Sequence, residues 1–259
     1  MKKIIFLLIA ILSLAYLTAC RGNDTLGDTD TSVNKVTEQP TAAYTVSNEI
    51  YSDETDKRTL SFVYPSFEGI EAAASLNELI FNESRAYMEN YITYNRADEA
   101  HYTYDVSSVI NTYISSKFAS FIYKGTFYAE GAAHPVNFAY TLNVDLENGT
   151  LLAFENIISD FEEVKTLFRN GEFSLIPSGN SELDSEINKL SGEDLIDAYS
   201  DLYGIYPYVY FTEANGEASL ALSLETIYAL GGHAEFEAAL DKVSAALTDE
   251  IQNLLKGEE

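Results

Sequence analysis

The chain has 259 residues, with 41 acidic against 15 basic side chains and a formal net charge of −26 at pH 7. A charge of this sign and size repels nucleic acid and anionic lipid headgroups, so binding to nucleic acid is excluded, and it attracts basic proteins and metal cations. Cys20 is the only cysteine, which also excludes an intramolecular disulfide.

Residues 1–19 have the pattern of a bacterial lipoprotein signal peptide. Lys2 and Lys3 precede the apolar run Ile4–Leu17, which is shorter than the roughly 20 residues of a membrane-spanning helix. The segment closes with Leu-Thr-Ala-Cys, which resembles the lipobox of signal peptidase II substrates. We therefore predict lipid attachment at Cys20 and a location on the outer face of the bacterial cytoplasmic membrane. An ordinary secretory signal or an N-terminal membrane helix is the alternative interpretation.

Residues 20–43 are predicted to form a flexible tether. They are rich in Thr, Asp, Asn and Gly and contain no aromatic residue, so they have too little apolar surface to form a core. Aromatic residues begin at Tyr44, where the folded part is predicted to start. The remaining length suits one elongated domain or two small subdomains that share a sheet, and we place the subdomains at residues 44–115 and 116–259.

The N-terminal subdomain is predicted to begin with two strands and a helix. Tyr44–Tyr51 and Thr59–Tyr64 alternate apolar and polar residues, which predicts two strands joined by an acidic loop. Pro65 is predicted to end the second strand because proline cannot donate a hydrogen bond to a neighbouring strand. Apolar residues three or four apart predict a helix over about residues 71–91.

The middle of the chain is predicted to be rich in strands. Alternating or apolar runs predict strands at 102–106, 109–114, 118–128 and 138–146. Gly125 predicts a bulge or a close approach of the backbone within the third of these. Asn148-Gly149 predicts a two-residue type I′ turn, followed by a short return strand over Thr150–Phe154.

Helices and strands alternate towards the C-terminus. Ser159 and Glu162 have the spacing of a capping box, which predicts a helix that ends near Arg169. The later predicted elements are a helix over 191–204, strands at 208–211 and 219–224 around an Asn-Gly turn, and a helix over 241–256. This order predicts an α+β fold, with an antiparallel or mixed sheet built from hairpins and meanders and with helices packed on it.

No motif for catalysis or metal binding is present. His101, His134 and His233 are far apart in the sequence, and there is no His-Glu-x-x-His motif, P-loop or nucleophile elbow. We therefore predict no catalytic residue, no metal and no cofactor, and a protein that is not an enzyme. The alternative is a peptidoglycan-acting envelope enzyme with an unrecognised pair of carboxylates among the 41 acidic residues.

His134 lies between small residues and Pro135, directly before a strand. Its ring has one donor and one acceptor when neutral, so it can fix a bend by bonding to backbone groups. Pro135 restricts its own φ and favours extended geometry at His134. A structural role at the bend, a contact with a partner and a catalytic role are the three interpretations, and we favour them in that order.

Several of these segments together resemble a known family. Gly131-Ala-Ala-His-Pro135, the strand after it, and the segments 143–149 and 154–158 resemble the extracellular domain of RsiV-type anti-sigma factors, a domain that also occurs beside PdaC-type peptidoglycan deacetylases. Tyr228-Ala-Leu-Gly231 is similar to the Tyr-Ala-x-Gly of that family, and residues 64–77 resemble the N-terminal half that accompanies it. The chain departs from the family pattern at Ala132, Asn148, Thr150 and Asn156.

The resemblance implies an α+β fold and a binding role, because RsiV-type domains recognise lysozyme, which is a basic protein. It also marks His134, Pro135 and Tyr228 as candidates for partner binding or for a structural hallmark. An anti-sigma factor needs a cytoplasmic segment and a transmembrane helix, and we expect neither after lipoprotein processing. Our hypothesis is a non-enzymatic surface lipoprotein that binds a cell-wall-related ligand or a basic protein such as lysozyme, attached to the membrane only through its lipid. A structural accessory subunit of an envelope complex is the further alternative.

Overall fold

The computed structural model describes residues 44–94, 102–190, 195–196, 207–214, 216–226 and 230–256. The predicted signal peptide and tether lie outside these ranges, as does almost all of the helix predicted over 191–204. Cys20, His101 and Tyr228 are outside them too.

The described strands form two sheets. The six-stranded sheet has the order β1-β2-β3-β4-β5-β6 and comprises β1 (Thr45–Glu54), β2 (Arg58–Glu68), β3 (Tyr102–Ile114), β4 (Phe118–Ala129), β5 (Val136–Asp145) and β6 (Thr150–Leu151). The four-stranded sheet has the order β7-β10-β9-β8 and comprises β7 (Ser174–Leu175), β8 (Tyr208–Ala214), β9 (Glu217–Glu225) and β10 (His233–Ala239). Neighbours are antiparallel except β2 and β3, which are parallel. The predicted α+β class with sheets of hairpins and meanders is confirmed.

The helices occur between the strands and at the C-terminal end. They are α1 (Ala73–Tyr94), α2 (Phe154–Ile157), α3 (Phe161–Arg169), α4 (Ser181–Ile187), α5 (Leu240–Val243), a 3₁₀ turn (Ser244–Ala246) and α6 (Asp249–Leu255). Helix α1 connects β2 to β3, and a parallel pair of strands requires a connection of this length.

Strands β4 and β5 lie between two apolar layers. On one face, Ile80 and Met88 of α1 belong to the same buried cluster as Tyr123 of β4. On the other face, Ile122 packs with Tyr210 of the four-stranded sheet. Because both faces are covered, most of β5 is buried, including its polar residues Asn143 and Asp145.

The loop after β5 differs from the predicted turn. Asp145 pairs with Thr150, so four residues rather than two connect β5 to β6. The buried Asp145 carboxylate accepts hydrogen bonds of 2.9 Å from the backbone N–H groups of Glu147 and Asn148, and these bonds hold the longer loop closed. Gly149 has φ of +64°, as glycine in a turn can adopt. The predicted return strand is cut short, since helix α2 begins at residue 154.

Two further local predictions differ from the structure because of the way the strands pair. Pro65 does not end β2 but pairs with Asn48 of β1. It is tolerated because β2 pairs with β3 only over Arg58–Phe62, so at Pro65 no second ladder needs its missing N–H. The irregularity predicted at Gly125 falls on the partner strand instead, where the register shifts between residues 106 and 108.

Ser159 explains two differences near the C-terminus. Its hydroxyl donates to the carbonyls of Ala246 and Leu247, so Asp160 rather than Ser159 caps α3. The same contacts hold Leu247 in an extended conformation, which divides the helix predicted over 241–256. Thr248 then caps α6, accepting a hydrogen bond from the N–H of Ile251.

The boundary predicted between residues 115 and 116 lies in the short turn that joins β3 to β4. These two strands are hydrogen-bonded neighbours along most of their length. The six-stranded sheet is therefore continuous across that position.

Candidate binding surface

The loop between β4 and β5 carries two of the residues singled out in the sequence. Gly131 has φ of +89°, and the N–H of Ala132 donates to the carbonyl of Ala129 at 3.0 Å, which makes a tight turn. His134 and Pro135 follow, and both are exposed. Nδ1 of His134 lies 3.1 Å from the carbonyl oxygen of Pro135. This contact supports a local structural role for the ring and leaves both side chains accessible to a partner.

The first residues of β5 meet the segment that follows position 228. Nδ2 of Asn137 donates to the carbonyl of Gly231 at 3.4 Å. Gly232 approaches even more closely, because a Cβ atom there would lie 2.6 Å from the carbonyl oxygen of Asn137. Gly231, the last residue of one segment that resembles the family pattern, thus lies at the same end of β5 as the other such segment, 131–135.

A buried carboxylate lies next to this contact. Glu235 of β10 is only 6% exposed, and its two oxygens bind Nζ of Lys124 at 2.9 Å and Nδ1 of His233 at 2.5 Å. Burial by itself would raise the pKa of Glu235, but the bonds and charges of His233 and Lys124 outweigh it and hold the pKa below its usual value. The Glu235 carboxylate therefore links β4 of the first sheet to β10 of the second.

This cluster was not predicted from the sequence. His233 and Glu235 are two residues apart, so a strand prediction would have placed them on one face. No strand was predicted there, and Lys124 is 111 residues away from Glu235. The alternation of polar His233 and Glu235 with apolar neighbours is the signal that could have identified the strand.

The four-stranded sheet covers only part of the six-stranded sheet. It packs on β4, β5 and the Tyr113 end of β3, whereas no described residue covers the same face of β1, β2, the rest of β3 and the end of β4. We call this open area the outer face; it comprises Ile50, Thr59, Ser61, Thr103, Asp105, Ile110, Thr126 and Tyr128.

The outer face has exposed apolar side chains among short polar ones. Ile50 is 72% exposed, Ile110 44% and Tyr128 38%. Thr103 lies beside Tyr128 in the pairing of β3 with β4. Because the loop of His134 begins two residues after Tyr128, it forms one rim of the outer face.

Most lysine and arginine side chains of the described ranges already have acidic partners. The ion pairs join Arg58 to Asp53, Arg85 to Glu89, Lys117 to Glu147, Lys124 to Glu235, Lys165 to Glu162, Lys189 to Glu186 and Lys242 to Glu172. Acidic residues outnumber basic ones by far, so many exposed carboxylates have no cation. Glu54 at the end of β1 and Glu130 just after β4 lie at the same end of the strands, are exposed, and form no ion pair within the described structure.

Neither a metal site nor a membrane span is found where the structure describes the chain. No three His, Cys, Asp or Glu side chains in these ranges are grouped so that they could hold a metal ion. Among the same residues, no helix is both long enough and apolar enough to cross a membrane.

Comparisons with known proteins give similarity in structure only. No protein-family model and no curated protein matches the chain. One similar solved structure is a member of the DUF3298 family from Bacteroides fragilis NCTC 9343, with 15% sequence identity, a TM-score of 0.49, and coverage of 83% of this chain and 98% of that one. Another is a DUF3298 family protein from Pseudomonas aeruginosa PAO1, with 12% identity, a TM-score of 0.46 and the same coverage. The structural neighbours are thus DUF3298 family proteins, and the RsiV-type resemblance stays a prediction.

Proposed function

We propose that this chain is a non-enzymatic binding module, anchored by a lipid on Cys20 outside the cytoplasm, that holds a basic protein such as lysozyme on its outer face. The observation that carries the proposal is the outer face itself. It is a sheet surface with Ile50 and Tyr128 exposed, and the carboxylates of Glu54 and Glu130 near it form no ion pair with any residue that the structure describes.

This arrangement suits a protein partner. Stable interfaces combine an apolar centre with a polar rim, and tyrosine is enriched at their centres. A charge of −26 speeds the encounter with a basic protein and makes the association sensitive to salt.

The loop between β4 and β5 also favours binding at the outer face. His134 and Pro135, which resemble the pattern of lysozyme-recognising RsiV-type domains, are exposed in the loop that follows β4. A partner seated on the outer face would contact both the sheet and this loop.

The test is binding of the full chain, held in detergent micelles, to immobilised hen lysozyme. We expect retention at about 50 mM NaCl that weakens strongly at about 500 mM, because the Debye length shortens with salt. An immobilised acidic protein of similar size serves as the control for non-specific retention on the support. Failure to retain the chain on lysozyme even at low salt would contradict the proposal, and retention on insoluble peptidoglycan instead would reassign the ligand to the cell wall.

A pair of variants tests the place of binding. Thr126→Lys puts a cation on the outer face, whereas Ser185→Lys makes the same change of charge on an exposed residue of α4. We expect Thr126→Lys to weaken lysozyme binding about tenfold or more and Ser185→Lys to change it less than about twofold. Equal effects of the two substitutions would show that only net charge matters and that the outer face is not the site.

A further inference from the structure

A groove lies beside β5, between α1 and the start of β8, away from the outer face. Its volume is about 580 Å³, within the roughly 300–1,000 Å³ of typical ligand sites. Its lining includes Leu79 and Glu83 of α1, Leu151 and Phe154 after β5, and Tyr208 of β8. Most of this lining is apolar, with one carboxylate.

Glu83 is the charged group of the groove. It follows Leu79 by four residues and precedes Tyr87 by four, so all three lie along one side of α1. Glu83 is exposed and makes no hydrogen bond or ion pair with any described residue. The nearest cation along the helix, Arg85, binds Glu89 at 2.9 Å between Nε and Oε1. The groove therefore offers a carboxylate that has no cation of its own.

An apolar groove with one carboxylate suits a ligand that has both an apolar part and a positive charge. We infer that the groove binds a lysine or arginine side chain presented by a basic protein, an inference that rests on the proposed function and places a second contact away from the outer face. Such a side chain has an aliphatic stem, which packs on Leu79 and Phe154, and a cationic end, which pairs with Glu83. A fatty acid would match the apolar walls, but its carboxylate would be repelled by Glu83.

A short peptide tests the groove directly. The probe is fluorescein-labelled Leu-Ala-Arg-Ala-Leu, and the control peptide carries citrulline, a neutral analogue of arginine, in place of the arginine. With the full chain in detergent micelles, fluorescence anisotropy should show the arginine peptide binding about three- to fivefold more tightly, as expected for one accessible ion pair.

Two substitutions on α1 test whether Glu83 causes the difference in binding between the two peptides. Glu83→Gln should make the two peptides bind equally, whereas Glu78→Gln, an equal change of charge on an exposed residue outside the groove, should keep the difference. Both side chains are exposed, so both variants should keep the melting temperature of the parent chain. Absence of binding by the arginine peptide, equal binding of the two peptides to the parent chain, or a difference that survives in Glu83→Gln would each overturn the inference.

Lysozyme binding is measured on the same samples. If the parent chain binds lysozyme but does not distinguish the two peptides, the groove inference fails while the proposed function stands. If the chain distinguishes the peptides in the expected way but does not bind lysozyme, the groove accepts cationic side chains and the proposed partner is wrong.

Discussion

Lys124 and Glu235 connect the two sheets through an ion pair of 2.9 Å, although 111 residues separate them in the chain. Glu235 is almost fully buried, and His233 binds its second oxygen. One carboxylate thus binds both the Lys124 ammonium and the His233 ring at the junction of β4 and β10.

Removal of this carboxylate should destabilise the fold. Glu235→Ala removes the buried carboxylate that binds both Lys124 and His233, and we expect a loss of about 2–4 kcal/mol in the free energy of unfolding. Urea denaturation measures it. Glu186→Ala is the matched control, since it breaks the ion pair with Lys189 between two exposed side chains and should change the free energy little. Equal losses of unfolding free energy in the two variants would show that the contacts of Glu235 stabilise the fold no more than an exposed ion pair does.

The same carboxylate should make stability depend on pH in acid. The pKa of Glu235 is lowered in the folded chain, so its ion pairs stabilise the fold fully above the ordinary value of 4.5, and this contribution is lost as the pH falls through the folded pKa. The difference in unfolding free energy between the parent chain and Glu235→Gln should therefore be larger at pH 5 than at pH 3. A difference that stays constant or grows on acidification would contradict the lowered pKa.

The contact between Gly232 and β5 should not tolerate a side chain. A Cβ atom at Gly232 would lie 2.6 Å from the carbonyl oxygen of Asn137, and the residue has φ of +87°. Gly171 has a similar φ of +78°, but nothing lies within 4 Å of its Cβ position. Gly171→Ala should cost about 1 kcal/mol of stability from backbone strain alone, and Gly232→Ala clearly more, about 2–4 kcal/mol. Chemical denaturation of both variants checks the comparison, and a cost at Gly232 no larger than at Gly171 would mean that the segment moves away freely.

His134→Ala distinguishes the two roles left for this residue. Its ring contacts the adjacent Pro135 carbonyl from an exposed position, so we expect a small loss of stability, about 1 kcal/mol or less, measured as the shift of the denaturation midpoint. If the ring only stiffens the bend, lysozyme binding should fall by less than about threefold. A loss of binding of tenfold or more with unchanged stability would assign His134 to the contact surface instead.

The elements that could be predicted are those whose pattern lies within one short segment of the sequence. Alternation identified β1, β2 and β5, and three- and four-residue spacing identified α1. The turn after β5 could not be predicted in its true form, because its length depends on the Asp145 carboxylate bonding to the next backbone groups. The division of the C-terminal helix likewise depends on Ser159, which is distant in sequence from the carbonyls it binds.

Of the candidate surface, only the loop of His134 and Pro135 was singled out in the sequence. His134 and Pro135 stood out because of their residue types, and the structure places them, exposed, in the loop that follows β4. The outer face itself depends on how much of the first sheet the second one covers. That coverage is set by contacts such as Ile122 with Tyr210, which no spacing within one strand reveals.

The continuity of the six-stranded sheet across residues 115 and 116 bears on how the protein can be divided for experiments. Separation at that turn would leave β3 on one fragment and β4 on the other, each a long strand whose backbone groups have lost their neighbour. Such edges pair readily with other chains, so both halves should aggregate when produced alone. Co-expression of the two halves should instead recover a soluble complex, and any shorter version made for crystallisation or binding work should retain the whole of β1–β6.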